Sequence, residues 1–178
     1  MASGKTHDQA VFNASLFTFA SGVLLNYLGV FHWLDVSIVA TGIFSGLMLS
    51  PDLDLAENAW KGDSSYKVTA LRRWGLLSLF WLPYGLAIPH RSWLSHGLIV
   101  GTSLRVLYFW GIVYGLSYAP WLERFINREY MLTMWRMFPV QLWFIGLCIA
   151  DTIHLMFDGG KTSNHGKPFK GAKKRQRG

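Results

Sequence analysis

Four stretches of the chain gather the residue types that bind cations or move protons. They are His7 with Asp8, Asp52 and Asp54 in PDLD, His90 and His96 in PHRSWLSHG, and Asp151, His154 and Asp158 in DTIHLMFD. A neutral imidazole offers one nitrogen lone pair, and a carboxylate offers hard anionic oxygens. Mixed His/Asp sets without cysteine suit Zn2+, Mn2+ or Fe2+ and differ from the thiolate sets of structural zinc. The single cysteine, Cys148, lies among Phe144, Ile145, Leu147 and Ile149 and reads as packing. One cysteine also excludes an intrachain disulfide.

Spacing refines the picture. Asp151, His154 and Asp158 stand at i, i+3 and i+7, so one helix face carries all three. Asp52 and Asp54 follow Pro51; on an extended turn they point in opposite directions, so that one ligates while the other caps a helix or orients an imidazole. Ser95 reads as the cap of a helix that starts beside His96. His32 and His165 read as hydrogen-bonded or interfacial histidines. Asp8 and Asp35 stand near helix starts, where a carboxylate complements the dipole. Arg91 reads either as a lipid-headgroup contact or as an anion clamp in the site.

These residues need elements to position them, and the composition says which kind. Of 178 residues, 51% are hydrophobic and 15% charged, with nine Trp. A soluble domain of this size lacks the interior to hide so much apolar surface. Five apolar runs follow one another: 11–31, 33–49, 74–88, 94–118 and 138–157. A bilayer core needs roughly 20 mostly apolar helical residues. Gly42 and Gly46 in the second run allow a neighbouring helix to approach closely. The third run holds Pro83 and ends at Pro89, which favours a bent, re-entrant or surface-lying segment over a span. Arg105 interrupts the fourth run and either snorkels or pairs internally. Residues 122–136 mix charges with Phe125, Tyr130 and Trp135 and read as a short amphipathic interfacial helix.

Topology then decides whether one site can exist. With five spans, PDLD and HRSWLSH fall on opposite membrane faces, some 30 Å apart. With four spans and a non-crossing 74–88, His7, Asp52, Asp54, His90, His96, His154 and Asp158 all reach one face. Thirteen of the 17 Lys and Arg residues fall on that same face. The positive-inside rule then makes the reactive face and the basic tail cytoplasmic. The fold expected is therefore an all-α integral membrane helical bundle of about four transmembrane helices plus a re-entrant or interfacial segment. Residues 1–160 form the metal-binding domain, and 161–178 form a basic tail expected to be disordered. The net charge of +7 is read as orientation and attraction to anionic lipid headgroups. Membrane-protein partners are compatible with the Gly-lined spans, and nucleic acid is disfavoured. The N-terminal MASGKTHDQA lacks the charged start and cleavage site of a secretory signal and reads as mature sequence.

An early His, PDLD, HR-x-x-x-SH and D-x-x-H-x-x-x-D in this order resemble the YdjM-like membrane-bound metal-dependent hydrolases and the related metal-binding proteins of cyanobacterial type. That group is in turn distantly similar to zinc-dependent phospholipase C and P1-type nucleases. The resemblance spans His7 to Asp158 and implies that His7, Asp54, His90, His96, His154 and Asp158 are ligands. Asp52 and Asp151 would be ligands or the groups that orient them. The phospholipase pattern has two His-x-x-x-carboxylate helices; only His154/Asp158 matches here, which leaves the metal count at one to three.

The leading expectation is a membrane-bound metal-dependent hydrolase acting on a phosphoester, most plausibly a lipid, at the cytoplasmic leaflet. The metal, Zn2+ with Mn2+ or Fe2+ as alternatives, activates water and polarises a phosphoryl oxygen. Asp52 or Asp151 takes the proton, and Arg91 holds the phosphate bidentately. The alternative is a non-catalytic small membrane subunit of a larger assembly, with a structural metal or none. A third reading, an ion or proton pathway, requires polar groups along the spans, whereas here they gather at one end.

Overall fold

Small residues set how the long helices meet. The computed structural model describes residues 4–56, 69–90 and 92–158. Arg91 and the basic tail lie outside the described residues. Among the described residues every regular element is helical.

Helix α1 (Gly4–Tyr27) turns back through a short loop into α2 (Trp33–Ser45). His32 caps α2, its Nδ1 accepting from the Leu34 N–H at 3.3 Å. The two helices run antiparallel: Ser15 Oγ donates to the Ala40 carbonyl at 2.9 Å, and Val11 packs beside Ile43. α2 then lies along the last helix, α8 (Phe138–Phe157), backbone on backbone. A Cβ on Gly42 would overlap the Trp143 carbonyl, and one on Gly146 would overlap that of Val39. Close approach therefore depends on glycine at both positions. The hydroxyls of Ser37, Thr41 and Ser45 in α2 each donate to the carbonyl four residues back. An apolar helix can carry those hydroxyls without needing outside partners.

After α2, Ser50 caps a 3-10 turn, Pro51–Leu55, its Oγ accepting from Asp52 N–H at 3.4 Å with Pro51 at the first position. This corrects the extended PDLD turn: a 3-10 path does not set Asp52 and Asp54 on opposite sides. Asp54 is buried while Asp52 is partly open.

The third apolar run does not cross the bundle. It comprises α3 (Thr69–Trp74), a 3-10 stretch (Gly75–Trp81) and α4 (Leu82–Ala87). Its entry is pinned where α2 ends: Arg73 donates to the Leu47 carbonyl and pairs with Asp8, and Trp74 Nε1 donates to the Met48 carbonyl at 2.8 Å. Its middle dips beside Tyr108 and Phe109, where Trp81 stacks and the Phe80 carbonyl accepts from Tyr108. Its exit returns to His90, which meets Asp54. Pro83 opens α4, and the extended Ile88 before Pro89 closes it.

The fourth run is two helices. α5 (Trp93–His96) ends at Gly97, and α6 (Val100–Leu116) follows. Ser95 is no cap. Ser92 occupies that place, and Ser95 sits inside the turn, its hydroxyl donating to the Ser92 carbonyl at 3.1 Å. Within 122–136 the helical part is shorter than expected: α7 (Arg128–Thr133), capped by Asn127, and a 3-10 turn, Met134–Arg136. α8 then returns to the starting end, so the N-terminus of α1, the C-terminus of α8, the PDLD turn and α5 share one rim.

Candidate metal centre

Each of the four segments ends at that rim for a local reason. His7 is the fourth residue of α1, His154 is on the last turn of α8, and Asp158 is at its C-cap. The capped turn after α2 delivers Asp52 and Asp54, and α5 delivers His96. The result is a row of imidazoles. Ring centroids are 4.3 Å apart for His7 and His154, 5.9 Å for His154 and His96, and 5.5 Å for His96 and His90.

Carboxylates flank the row. His7 Nε2 lies 3.7 Å from Asp158 Oδ1, and His154 Nε2 lies 3.7 Å from Asp158 Oδ2 and 3.5 Å from Asp52 Oδ1. His96 Nδ1 is 3.7 Å from Asp54 Oδ2, whereas His90 Nδ1 makes a hydrogen-bond contact with Asp54 Oδ1 at 2.8 Å. Separations of 3.5–3.7 Å are long for hydrogen bonds. Those from His7 and His154 to Asp158 and Asp52 lie close to the ~3.3–3.6 Å expected between two ligands on one tetrahedral cation with bonds of about 2.0–2.2 Å. Three triads place one donor atom from each member within 4.8 Å of one another: His7/His154/Asp158, Asp52/His96/His154 and Asp54/His90/His96.

Hydrogen bonding leaves the metal-facing atoms over. His7 Nε2, His96 Nε2, His154 Nε2 and Asp54 Oδ2 are buried and have no hydrogen-bond partner. Four such atoms at one place are costly in a protein interior, and a bound cation removes that cost. The residues present therefore fit a metal.

Protonation agrees for the groups on the connecting turns. Burial pushes the His96 imidazole down to about 4, against the opposing charges of Asp54 and Asp52. It is neutral at pH 7. With the Ser95 hydroxyl given to Ser92, the 2.8 Å contact between Ser95 Oγ and His96 Nδ1 puts the ring proton on Nδ1. The Nε2 lone pair is then free for a cation. Burial raises the Asp52 carboxyl, but the close contact with His154 and its charge, with His96 and His90 behind it, hold it at about 2. It is an anion at any working pH.

A family model described as an uncharacterized metal-binding protein (DUF2227) matches residues 2–167. The chain belongs to that family. No curated protein and no solved structure matches it. For a DUF2227 member, the rim is where the His and Asp residues of four separate segments converge, and it lies within the matched stretch.

One residue proposed from sequence is placed differently. Asp151 faces away from the row: its Oδ2 accepts from Thr102 Oγ1 and from Arg105, and both partners are fully buried. The i, i+3, i+7 face is real, but α6 approaches its first member and a protein cation neutralises it. Arg91 lies outside the described residues. The sequence reading missed Ser95 as a partner of His96. It left Arg105 to snorkel or to pair internally without naming Asp151 as the partner, for which a signal existed: an Arg and an Asp in two different apolar runs are each too costly alone.

Proposed function

We propose that the chain is a membrane-embedded metal-dependent hydrolase whose centre holds two divalent cations and attacks a phosphoester at headgroup level. The observation that carries this reading is that the triads His7/His154/Asp158 and Asp54/His90/His96 have no member in common. A neutral imidazole has one available lone pair, so the middle triad, which borrows His154 and His96, is not a third independent site. Asp52 stands between the two sets, and a carboxylate has oxygens for both. The role of Asp52 in this reading is therefore to bridge, rather than to act as a base.

Divalent cations at such a centre, Zn2+ or alternatively Mn2+ or Fe2+, would acidify water and polarise a phosphoryl oxygen. The chain's own contribution is to hold seven donors in register, keep His96 neutral, and leave an entrance. Asp52 and His90, with 27% and 29% of their side chains exposed, are the open members through which a substrate would arrive. Similarity in motif order to the YdjM-like hydrolases adds support for hydrolysis.

Membrane embedding is supported by helices that are apolar and yet uncovered. Thr6–Tyr27 and Phe138–Phe157 are long and apolar enough to cross a bilayer, but their apolar windows are only 17% and 28% buried. A core helix of a soluble protein is mostly buried. Phe17, Val23 and Leu24 on α1 and Ile145 on α8 are exposed, and lipid would cover them. α2 and α6 are shorter apolar helices that would complete the four spans. Because 74–88 re-enters rather than crosses, all the reactive residues keep to one side. The Lys/Arg excess on that side in the sequence favours the cytoplasmic leaflet.

The test is metal analysis and turnover on the purified full chain in lipid nanodiscs. Two Zn2+ per chain and hydrolysis of nanodisc phospholipid are expected. His154→Ala should lose one ion and all turnover. A two-ion protein that leaves phospholipid and soluble phosphodiesters intact would support the non-catalytic subunit instead, and a wild-type chain free of metal would remove the centre altogether.

A further inference from the structure

We infer that Arg105 is a positioning residue for the metal centre, whose guanidinium fixes the separation of His96 and His154 by gripping the supports of both at once. The inference rests on the metal reading above. Arg105 is fully buried. Its Nη1 donates to the Ser95 carbonyl at 3.0 Å, and its Nη2 to Asp151 Oδ2. Ser95 immediately precedes His96. Asp151 lies three residues before His154 on α8, one helical turn away on the same side. One rigid planar cation therefore spans α5 and α8 directly behind the two imidazoles on either side of Asp52.

The surroundings remove the slack from this arrangement. Thr102 Oγ1 donates to the same Asp151 oxygen, which fixes the carboxylate from α6. A Cβ on Gly101 would press on the Ser95 carbonyl, so the α6 backbone sits hard against the chain that carries His96. A buried ion pair is a weak source of stability, since desolvation offsets most of its attraction. A guanidinium can bond two acceptors in fixed directions at once, which a single ammonium cannot reproduce. That geometry serves to set a distance between elements that are far apart in sequence.

The test uses the full chain purified in detergent, with two variants. Arg105→Met/Asp151→Leu removes both charges together, so no lone buried charge remains. Arg105→Lys keeps the charge and loses the fork. Three quantities are read: thermal stability of the metal-free protein, Zn2+ affinity by chelator competition, and the visible spectrum of the Co2+-loaded centre. In both variants Zn2+ affinity is expected to fall by about 10- to 100-fold, as when other groups behind metal ligands are removed. A shifted Co2+ spectrum and a metal-free melting temperature close to wild type should accompany it. Wild-type affinity with a wild-type spectrum in a folded variant would overturn the positioning role. Should the double variant fail to fold, Arg105→Lys decides by the same two readouts. A wild-type chain that takes up no Zn2+ overturns the metal reading itself, and that failure is visible before any substitution is made.

Discussion

Two buried polar groups share α8 one turn apart, and they are finished differently. Around Asp151 the protein supplies its own cation: Arg105 and Thr102 both donate to the carboxylate. Around His154 it supplies imidazoles and carboxylates: His7, in a hydrogen bond between the two Nδ1 atoms at 3.1 Å, Asp52, Asp158 and, one ring further on, His96. The first group has its charge neutralised by Arg105, although Asp151 Oδ1 and Arg105 Nε make no hydrogen bond. The second leaves four buried ligand atoms without hydrogen-bond partners, a cost that a bound cation would relieve. Charge burial alone thus does not mark a site. A cluster of imidazole and carboxylate atoms without partners does.

This contrast can be broken most severely at its closed half. Arg105→Ala leaves Asp151 buried without its cation, at a cost of about 3–5 kcal/mol, a large share of the stability of a small domain. Thermal melts should show collapse or a large drop in melting temperature. A variant as stable as wild type would mean that the pair is not closed in the way described.

The open half should reveal itself through acid. Burial lowers the folded His96 to about 4 from an ordinary 6.5, so between those values the unfolded chain binds more protons than the folded one. Stability of the metal-free protein then falls as pH drops from about 6.5 toward 4. Asp52, lowered to about 2 from 3.8, has the opposite origin but the same slope: its contribution is present above 3.8 and lost as pH falls toward 2. His96→Gln should flatten the upper part of the curve and leave the lower part. Chemical denaturation at several pH values measures both.

The smallest effect sharpens the comparison by leaving both halves alone. His32 caps α2, far from the row. His32→Ala should cost ~1 kcal/mol with unchanged Zn2+ stoichiometry. Loss of metal in that variant would mean that the row is not the binding site.

How far the sequence could be read depended on the kind of information involved. That 74–88 is bent rather than one straight helix was legible because Pro83 and Pro89 act on their own neighbours, and a local steric rule does not wait for tertiary structure. Close packing at Gly42 was legible for a similar reason. The conformation of PDLD was not: Pro51 is compatible with an extended turn and with a 3-10 turn, and Ser50 as its cap made the difference. Ser95 was misread because a serine beside a short helix fits the cap or the first turn equally well by spacing, and only the path through Ser92 assigns it.

The sequence by itself determined that the chain is helical and apolar, that it carries His and Asp in four segments, and that Asp151, His154 and Asp158 share a helix face. These follow from composition and from a 3.6-residue period, which are properties of short stretches. Only the tertiary structure decided that Asp151 belongs to Arg105 and His154 to the metal row. Residues 105 and 151 are in different helices, and which side chain neutralises a buried carboxylate depends on how α6 lies against α8. That packing is fixed by contacts across the whole bundle, not by the residues next to either charge.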